Sequence, residues 1–231
     1  MKLALGIIAK NEEVMLRKHL PILAPCFDGI IFGDDNSTDG TFDFLENELK
    51  CGIIIIPIGG DSFAQKRNDV IEEAEELGYD AILFLDADEC MFPEHIENIR
   101  EMLTKFDVIA LARFEFGPDR EHYNEKLFPD FQGRAFKLNK GYEYRHKLHE
   151  ILYIKDHEKS VYEEKGFYFT LNNQIYHYGR CKPKEELWLR YHNYNLIQEG
   201  KPTIDKIPEG VDIDMSEVFR DVIKFYGEQP V

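Results

Sequence analysis

The chain has 231 residues, 43% of them hydrophobic and 31% charged, the composition of a globular protein long enough to bury a core without staples. Asp and Glu number 44 against 28 Lys and Arg, a net charge of −16, which argues against a broad nucleic-acid or anionic-membrane footprint because both need clustered cations. Cys26, Cys51, Cys90 and Cys181 have no zinc or redox spacing, and no apolar run approaches the roughly 20 residues of a membrane span. A cytoplasmic location is expected, either free or peripheral at the inner face of a membrane.

Taken in order, Leu3 to Ala9 reads as a buried first strand rather than a secretion signal, since Lys10-Asn11-Glu12-Glu13 follows at once. Asn11 is the expected cap of a helix carrying Val14, Leu16, Leu20 and Leu23, with acidic residues in its first turn. Gly29 to Gly33 is a second strand that opens into Asp34-Asp35-Asn36-Ser37-Thr38-Asp39-Gly40-Thr41, loop chemistry followed by capping chemistry. Phe42, Leu45 and Leu49 then recur at helical spacing, and Cys51 to Ile58 is a third, Ile-rich strand. Phe63 to Leu77 is a helix with Gln65-Lys66-Arg67-Asn68 near its start, ended by Gly78.

Ala81 to Leu85 is apolar without alternation, as in a strand covered on both faces, and it stops at Asp86-Ala87-Asp88-Glu89. Two carboxylates at the carboxyl end of such a strand sit where open α/β sheets bind ligands. They repel one another unless a cation or protons intervene. Hard oxygen ligands favour magnesium, calcium or manganese, with phosphates and water completing the shell. The alternative is a polar loop after a strand.

Pro93 to Lys105 is the next helix and Val108 to Phe116 the next strand. Strands alternating with helices predict a parallel or mixed α/β sheet, with both acidic loops on one edge of it. After about residue 116 aromatic residues become frequent, and short strands are expected over Gln132–Leu138, Leu148–Ile154, Phe167–Leu171 and Gln174–Tyr178. Helices over Pro183–Gln198 and Met215–Tyr226 flank a loop from Lys201 to Gly210. Residues 134–149 hold Arg134, Lys137, Lys140, Arg145 and Lys147 against Glu143 alone, either a buried anion site or a solvated face. Residues 1–115 form a ligand-binding half and 116–231 a second half of the same domain.

Ile7-Ile8-Ala9-Lys10-Asn11-Glu12-Glu13, the Asp34 to Thr41 loop, Arg67-Asn68 and Asp86-Ala87-Asp88-Glu89, in this order, resemble the family 2 glycosyltransferases and their GT-A nucleotide-sugar fold. His149-Glu150 and Ile175-Tyr176-His177-Tyr178-Gly179 are similar to downstream features of that family, closest to the transferases that build lipopolysaccharide cores and related glycans. The resemblance implies an inverting, metal-assisted transfer from a nucleotide-diphospho-sugar, a UDP-sugar by preference, to a hydroxyl on a glycan, lipid-linked or protein acceptor. The charge disfavours a nucleic-acid acceptor.

The same resemblance implies roles. Ala9, Asn11, Glu12, Asp34, Asp35, Arg67, Asp86 and Ala87 line the nucleotide, with Asp34 or Asp35 accepting from the base and Arg67 near the diphosphate. Asp88, with Asp86 and His177, holds Mn2+ or Mg2+, and Glu150 is the base. Each has an alternative: helix and turn capping for the Asp34–Asp39 loop, a helix partner such as Glu72 for Arg67, a half-buried strand histidine for His177. Asp119, Glu115 and Asp130 are rivals of Glu150. The short second half without a membrane helix fits one transfer per encounter rather than processive synthesis. A sugar-phosphate nucleotidyltransferase is the competing enzyme class, but its Gly-rich first loop is absent from Ala9 to Glu13. A non-catalytic nucleotide-sugar-binding module is the third reading.

Overall fold

Strand β1 (Leu3–Ala9) lies in the middle of the main sheet because it is apolar on both faces. Leu3, Leu5 and Ile7 enter one core and Ala4 and Ile8 the other, the alternation that a pleated strand imposes. The computed structural model describes residues 1–49, 51–117, 119–163, 167–211, 213, 222–225 and 227–230. After β1 come α1 (Glu13–Leu23), β2 (Gly29–Asp34), the short α2 (Thr41–Asp43), β3 (Ile53–Pro57), α3 (Phe63–Glu76), β4 (Ala81–Phe84), β5 (Glu89–Cys90), α4 (Pro93–Lys105) and β6 (Val108–Glu115). Then follow β7 (His122–Asn124), β8 (Asp130–Lys137), β9 (Tyr142–Arg145), β10 (Ile151–Ile154), β11 (Phe167–His177), α5 (Lys184–Gln198) and β12 (Val222–Lys224).

The main sheet has eight strands in the order β3-β2-β1-β4-β8-β6-β11-β5. β1 to β4 run parallel, β8 is antiparallel to both its neighbours, and β11 is parallel to β6. Strands from beyond residue 116 therefore complete the sheet begun by the first half. Leu16, Leu20 and Leu23 of α1 and Ile96, Ile99 and Leu103 of α4 cover one face. Val70, Ile71 and Ala74 of α3, with Tyr144 and Leu152 of the β9–β10 hairpin, cover the other. Each fully buried Leu or Ile in these stripes contributes about 1.5–3 kcal/mol.

The parallel register places Ala9 opposite Asp34, and Gly6 opposite Phe84. The carboxyl ends of β1, β2 and β4, and with them both acidic loops, thus open on one edge. That arrangement follows from the crossover helices, which return the chain so that successive strands point the same way.

Several local expectations change. Asn11 does not cap α1; Glu12 precedes its first residue, without a side-chain cap bond. Asn11 instead takes a left-handed φ of 56°, a conformation Asn tolerates better than most residues. Val14 is 65% exposed because it lies on the opposite side of α1 from the Leu16–Leu20–Leu23 stripe. The helix after Thr41 is brief: it widens into a turn over Phe44–Glu48 that closes from Leu49 N–H to the Phe44 carbonyl at 3.0 Å. Phe44 and Leu45 are buried there, while Phe42 is exposed. The two short strands expected after Phe167 are one strand, β11, with a register shift between Thr170 and Ile175. Of the last expected helix, residues 215–221 and 226 lie outside the described residues, and Val222–Lys224 is a strand paired with β7. No helix among the described residues is long and apolar enough to cross a membrane.

Candidate active site

The site begins with the way the Asp34–Thr41 loop holds the start of α1. Asn11 N–H donates to Ser37 Oγ at 3.0 Å, Glu12 N–H to Thr41 Oγ1 at 3.0 Å and Glu13 N–H to Asp39 Oδ2 at 3.2 Å. Helix α1 leaves its first N–H groups without intrahelical partners, and here the caps come from a loop 26 to 29 residues away in sequence. Asn11 returns the contact, its Oδ1 accepting from Thr38 N–H at 2.7 Å. The Ala9 carbonyl accepts from Asp35 N–H at 2.9 Å. Asp39 caps, as its type suggests, accepting from Glu13 and Thr41 N–H, whereas Thr38 donates to Asn11 and caps neither helix.

Asp34 closes its own turn by accepting from Ser37 N–H at 3.2 Å. Asp35 pairs with Lys66 Nζ at 2.6 Å, and the Lys66 side chain is largely buried. Lys66 precedes Arg67 in α3, so one helical turn serves both acidic loops.

Arg67 is 1% exposed and joins two carboxylates. Its Nη2 donates to Asp86 Oδ1 at 2.6 Å and its Nε to Glu150 Oε1 at 2.6 Å. The guanidinium lies over the rings of Phe84, 5.1 Å away, and Tyr144, 5.5 Å away, and Nη1 is buried without a partner among the described residues. Glu72 is not a partner of Arg67 among the described residues. Arg134, from the basic segment, reaches the other side of Asp86 at 3.1 Å and Glu89 at 3.5 Å. Glu89 also accepts from Asp86 N–H at 2.9 Å and pairs with Arg113 at 3.1 Å. Burial opposes charge on Asp86, but Arg134 and Arg67 outweigh it and hold the carboxyl well below its usual range. Other cations of the basic segment face outward, Lys137 on Asp107, Arg145 on Glu143 and Lys147 on Asp61.

Asp88 turns the opposite way from Asp86 and is 2% exposed. Its Oδ1 stands 3.2 Å from His177 Nε2, which is buried and makes no hydrogen bond among the described residues. His177 Nδ1 is 2.7 Å from Glu115 Oε2. Burial disfavours the imidazolium, yet Glu115 and Asp88 on either side prevail and raise His177 to about 10. Asp88 Oδ2 faces Arg190 Nη1 at 2.7 Å and Lys182 Nζ at 3.6 Å. Lys182 also pairs with Glu12, and that carboxyl is raised by burial and by Asp88. Ala87, between the two aspartates, is buried against a small cavity that it shares with His19 and Leu16.

Among the described residues there is no cluster of three or more His, Cys, Asp or Glu side chains that could hold an ion. The pair of Asp88 and His177 nevertheless fits a hard or borderline divalent cation. One carboxylate oxygen adjoins His177 Nε2, which must give up its proton to ligate an ion, and Glu115 orients the ring from behind, the usual outer-shell partner of a metal-ligating histidine. Diphosphate oxygens and water supply the other positions when only one or two side chains ligate. Gly179 belongs to the same cradle: a Cβ there would press on His177 Nε2 and stand 3.0 Å from Arg190 Nη1. Asp86 is not placed to join this pair, because both its oxygens are engaged by Arg67 and Arg134.

Of the rivals to Glu150, Asp119 closes its own loop on His122, Asp130 pairs with Arg113 at 2.7 Å, and Glu115 is committed to His177. Residues that sequence reasoning passed over include Lys66, Glu89 and Arg113, and above all Lys182 and Arg190. Lys66 and Glu89 lie inside the motifs already singled out, so adjacency was their only signal. Nothing in the local sequence of Lys182 or Arg190 points to Asp88.

A mixed sheet with two acidic loops and a buried arginine at its carboxyl edge describes a nucleotide-sugar transferase of the GT-A type. The pattern of Glycosyl transferase family 2 matches residues 5–169, and the chain belongs to that family. No curated protein matches it. Among solved structures it is similar to S. aureus TarS 1–349 in complex with UDP-GlcNAc, at 20% identity and a TM-score of 0.44, over 51% of this chain and 36% of that one. It is also similar to glucosyl-3-phosphoglycerate synthase from Mycobacterium tuberculosis in complex with Mn2+, UDP and phosphoglyceric acid, at 17% identity and a TM-score of 0.37, over 51% of this chain and 44% of the other. The match thus spans less than half the length of either structure.

Proposed function

We propose that the chain transfers a sugar from a UDP-sugar to an acceptor hydroxyl with inversion, assisted by a divalent cation. The observation that carries this reading is the bridge from Glu150 through Arg67 to Asp86, at 2.6 Å on both sides. It ties the acceptor-side acid to the strand-end loop whose next carboxylate, Asp88, adjoins His177. Asp34 or Asp35 accepts from the base, with Ala9, Asn11, Glu12 and Ala87 around the nucleotide. Asp88 and His177 would hold Mn2+ or Mg2+, which supplies Lewis-acid neutralisation of the departing diphosphate.

In the transfer, the acceptor oxygen bonds to the anomeric carbon on the face opposite the diphosphate. The carbon–oxygen bond to phosphate breaks, its electron pair leaves with the nucleoside diphosphate, and the hydroxyl proton passes to Glu150. Oε1 of Glu150 is taken by Arg67, which leaves Oε2 to receive the proton. Arg67 fixes the carboxylate in place from its buried position over Phe84 and Tyr144. The test is a panel of UDP- and GDP-sugars with Mn2+, following diphosphate release with and without simple glycan acceptors. Release from one UDP-sugar above the others is the expected result. No release from any sugar nucleotide rejects the reading, and pyrophosphate-dependent formation of nucleoside triphosphate would point to a nucleotidyltransferase instead.

A further inference from the structure

Asp88 already has cations. Arg190 Nη1 lies 2.7 Å from Oδ2 and Lys182 Nζ 3.6 Å from it, while His177 stands against Oδ1. Lys182 is shared with Glu12, His177 with Glu115, and Arg180 Nε is 3.2 Å from Glu115. Arg113 Nη2 lies 3.9 Å from Glu115 as well, so basic side chains line the largely buried cluster of Glu12, Asp88 and Glu115. A divalent ion seated between Asp88 Oδ1 and His177 Nε2 lies across one carboxylate from Arg190 and Lys182, which hold Oδ2, and their charges oppose it. Buried like charges at short range are strongly unfavourable.

Both opposing groups come from one segment, the stretch after β11 and helix α5. That segment is thinly packed: of the fifteen residues of α5 only Leu187 and Ile197 are buried. Lys182 stands immediately before its first turn and Arg190 in its middle, so the ion pairs to Glu12 and Asp88 tie this helix to the strand-end loop. A helix held mainly by charge can shift when the charge it faces changes. Its aromatic contacts are at the periphery, with Tyr194 set edge-on against Phe63 at 6.1 Å.

We infer that Arg190 and Lys182 form a latch on Asp88 that suppresses cation binding to the nucleotide-free protein and transfers to the donor's diphosphate when the donor arrives. The diphosphate provides the negative charge that lets both guanidinium and ammonium leave Asp88 while staying paired, and it brings oxygen ligands for the cation. Cation and nucleotide then bind with strong mutual dependence, each raising the affinity of the other by the same factor. The inference rests on the proposed metal role of Asp88.

The experiment measures Mn2+ alone, by electron paramagnetic resonance of the free ion, with the full chain as wild type, Arg190→Gln, Arg190→Lys, Lys182→Gln and Asp88→Asn, each with and without UDP. For the wild type, weak Mn2+ binding that tightens at least about tenfold with UDP is expected, the size of an ordinary coupling between two sites. Arg190→Gln should bind Mn2+ alone about tenfold more tightly than wild type, yet bind UDP in saturating Mn2+ more weakly. Lys182→Gln should do the same to a smaller extent, and Arg190→Lys should restore much of the suppression. Wild-type Mn2+ affinity in both Arg190→Gln and Lys182→Gln, with Asp88→Asn binding none, overturns the latch and leaves the metal role standing. UDP-dependent Mn2+ binding that survives in Asp88→Asn removes the metal role, and the latch with it.

Discussion

Arg67 and Glu150, 83 residues apart in sequence, meet at 2.6 Å in the interior of the site. The contact makes Glu150 part of the same buried ion network as the strand-end aspartate. In the proposed transfer Glu150 therefore has two separable duties, receiving a proton and neutralising a buried guanidinium.

Two substitutions distinguish these duties. Glu150→Gln keeps an oxygen for Arg67 Nε but removes the base, so transfer should fall by roughly 10²–10⁴ while UDP affinity stays within about twofold. Glu150→Ala should lose the same activity and in addition lower stability by about 3 kcal/mol, the cost of stranding one member of a buried pair. Transfer rate, UDP calorimetry and urea unfolding on the same preparations decide the matter, with Asp130→Asn and Asp119→Asn alongside. If one of those two is dead and Glu150→Gln is active, the base is the other carboxylate.

Arg67→Met should destabilise the fold by about 3–5 kcal/mol, since Asp86 and Glu150 both lose their shared cation. Arg67→Lys should recover only part of it, because an ammonium cannot make two directed bonds from one rigid fork. Combining Arg67→Met with Glu150→Met should cost clearly less than the sum of the single changes. Additive urea midpoints would show that the two residues are not coupled.

Asp35→Asn and Asp34→Asn should weaken UDP binding unequally, the one that contacts the base by about 1.5–3 kcal/mol. The structure adds an asymmetry to this comparison. Asp35→Asn leaves the buried Lys66 ammonium without its anion, so only this variant should also lose thermal stability. Calorimetry with UDP and a melting curve for each variant provide the check. Unchanged affinity in both would reduce the acidic loop to a cap and a turn.

Stability should depend on pH through His177 and Glu115. His177 is raised from 6.5 to about 10, so its contribution is complete below about pH 6.5 and is lost as pH rises toward 10. Glu115 is lowered from 4.5 to about 2, against the effect of burial, by His177 and its arginine neighbours. Its contribution is complete above about pH 4.5 and is lost as pH falls toward 2. The pair is therefore at full strength between about pH 4.5 and 6.5. In chelator, the stability difference between wild type and Glu115→Gln should be largest in that window and shrink on both sides. A difference that does not vary with pH would show that the pair is not ionised as described.

The sequence by itself determined the alternation of strands and helices through residue 116, because unbroken apolar runs and 3.6-residue periodicity are local properties of the chain. It also determined that two acidic loops share one edge, since parallel strands joined by helices must point the same way. Short-range chemistry was legible too: the Asp39 cap, the end of α3 at Gly78 with its left-handed φ of 73°, and the unmixed apolar β4 leading to Asp86 and Asp88. Only the tertiary structure decided which charge meets which. Asp86 and Asp88 are two residues apart, yet one faces Arg67 and Arg134 and the other His177, Lys182 and Arg190. An extended backbone would put residues two apart on one face; the turn at Ala87 and Asp88, closed by Glu89 N–H on the Asp86 carbonyl, sends them to opposite sides, and their partners come from elements between 19 and 102 residues away. Charge pairing over such separations leaves no periodic trace in a single sequence; the sheet order, with β8 inserted between β4 and β6, sets it by bringing Arg134 beside Asp86.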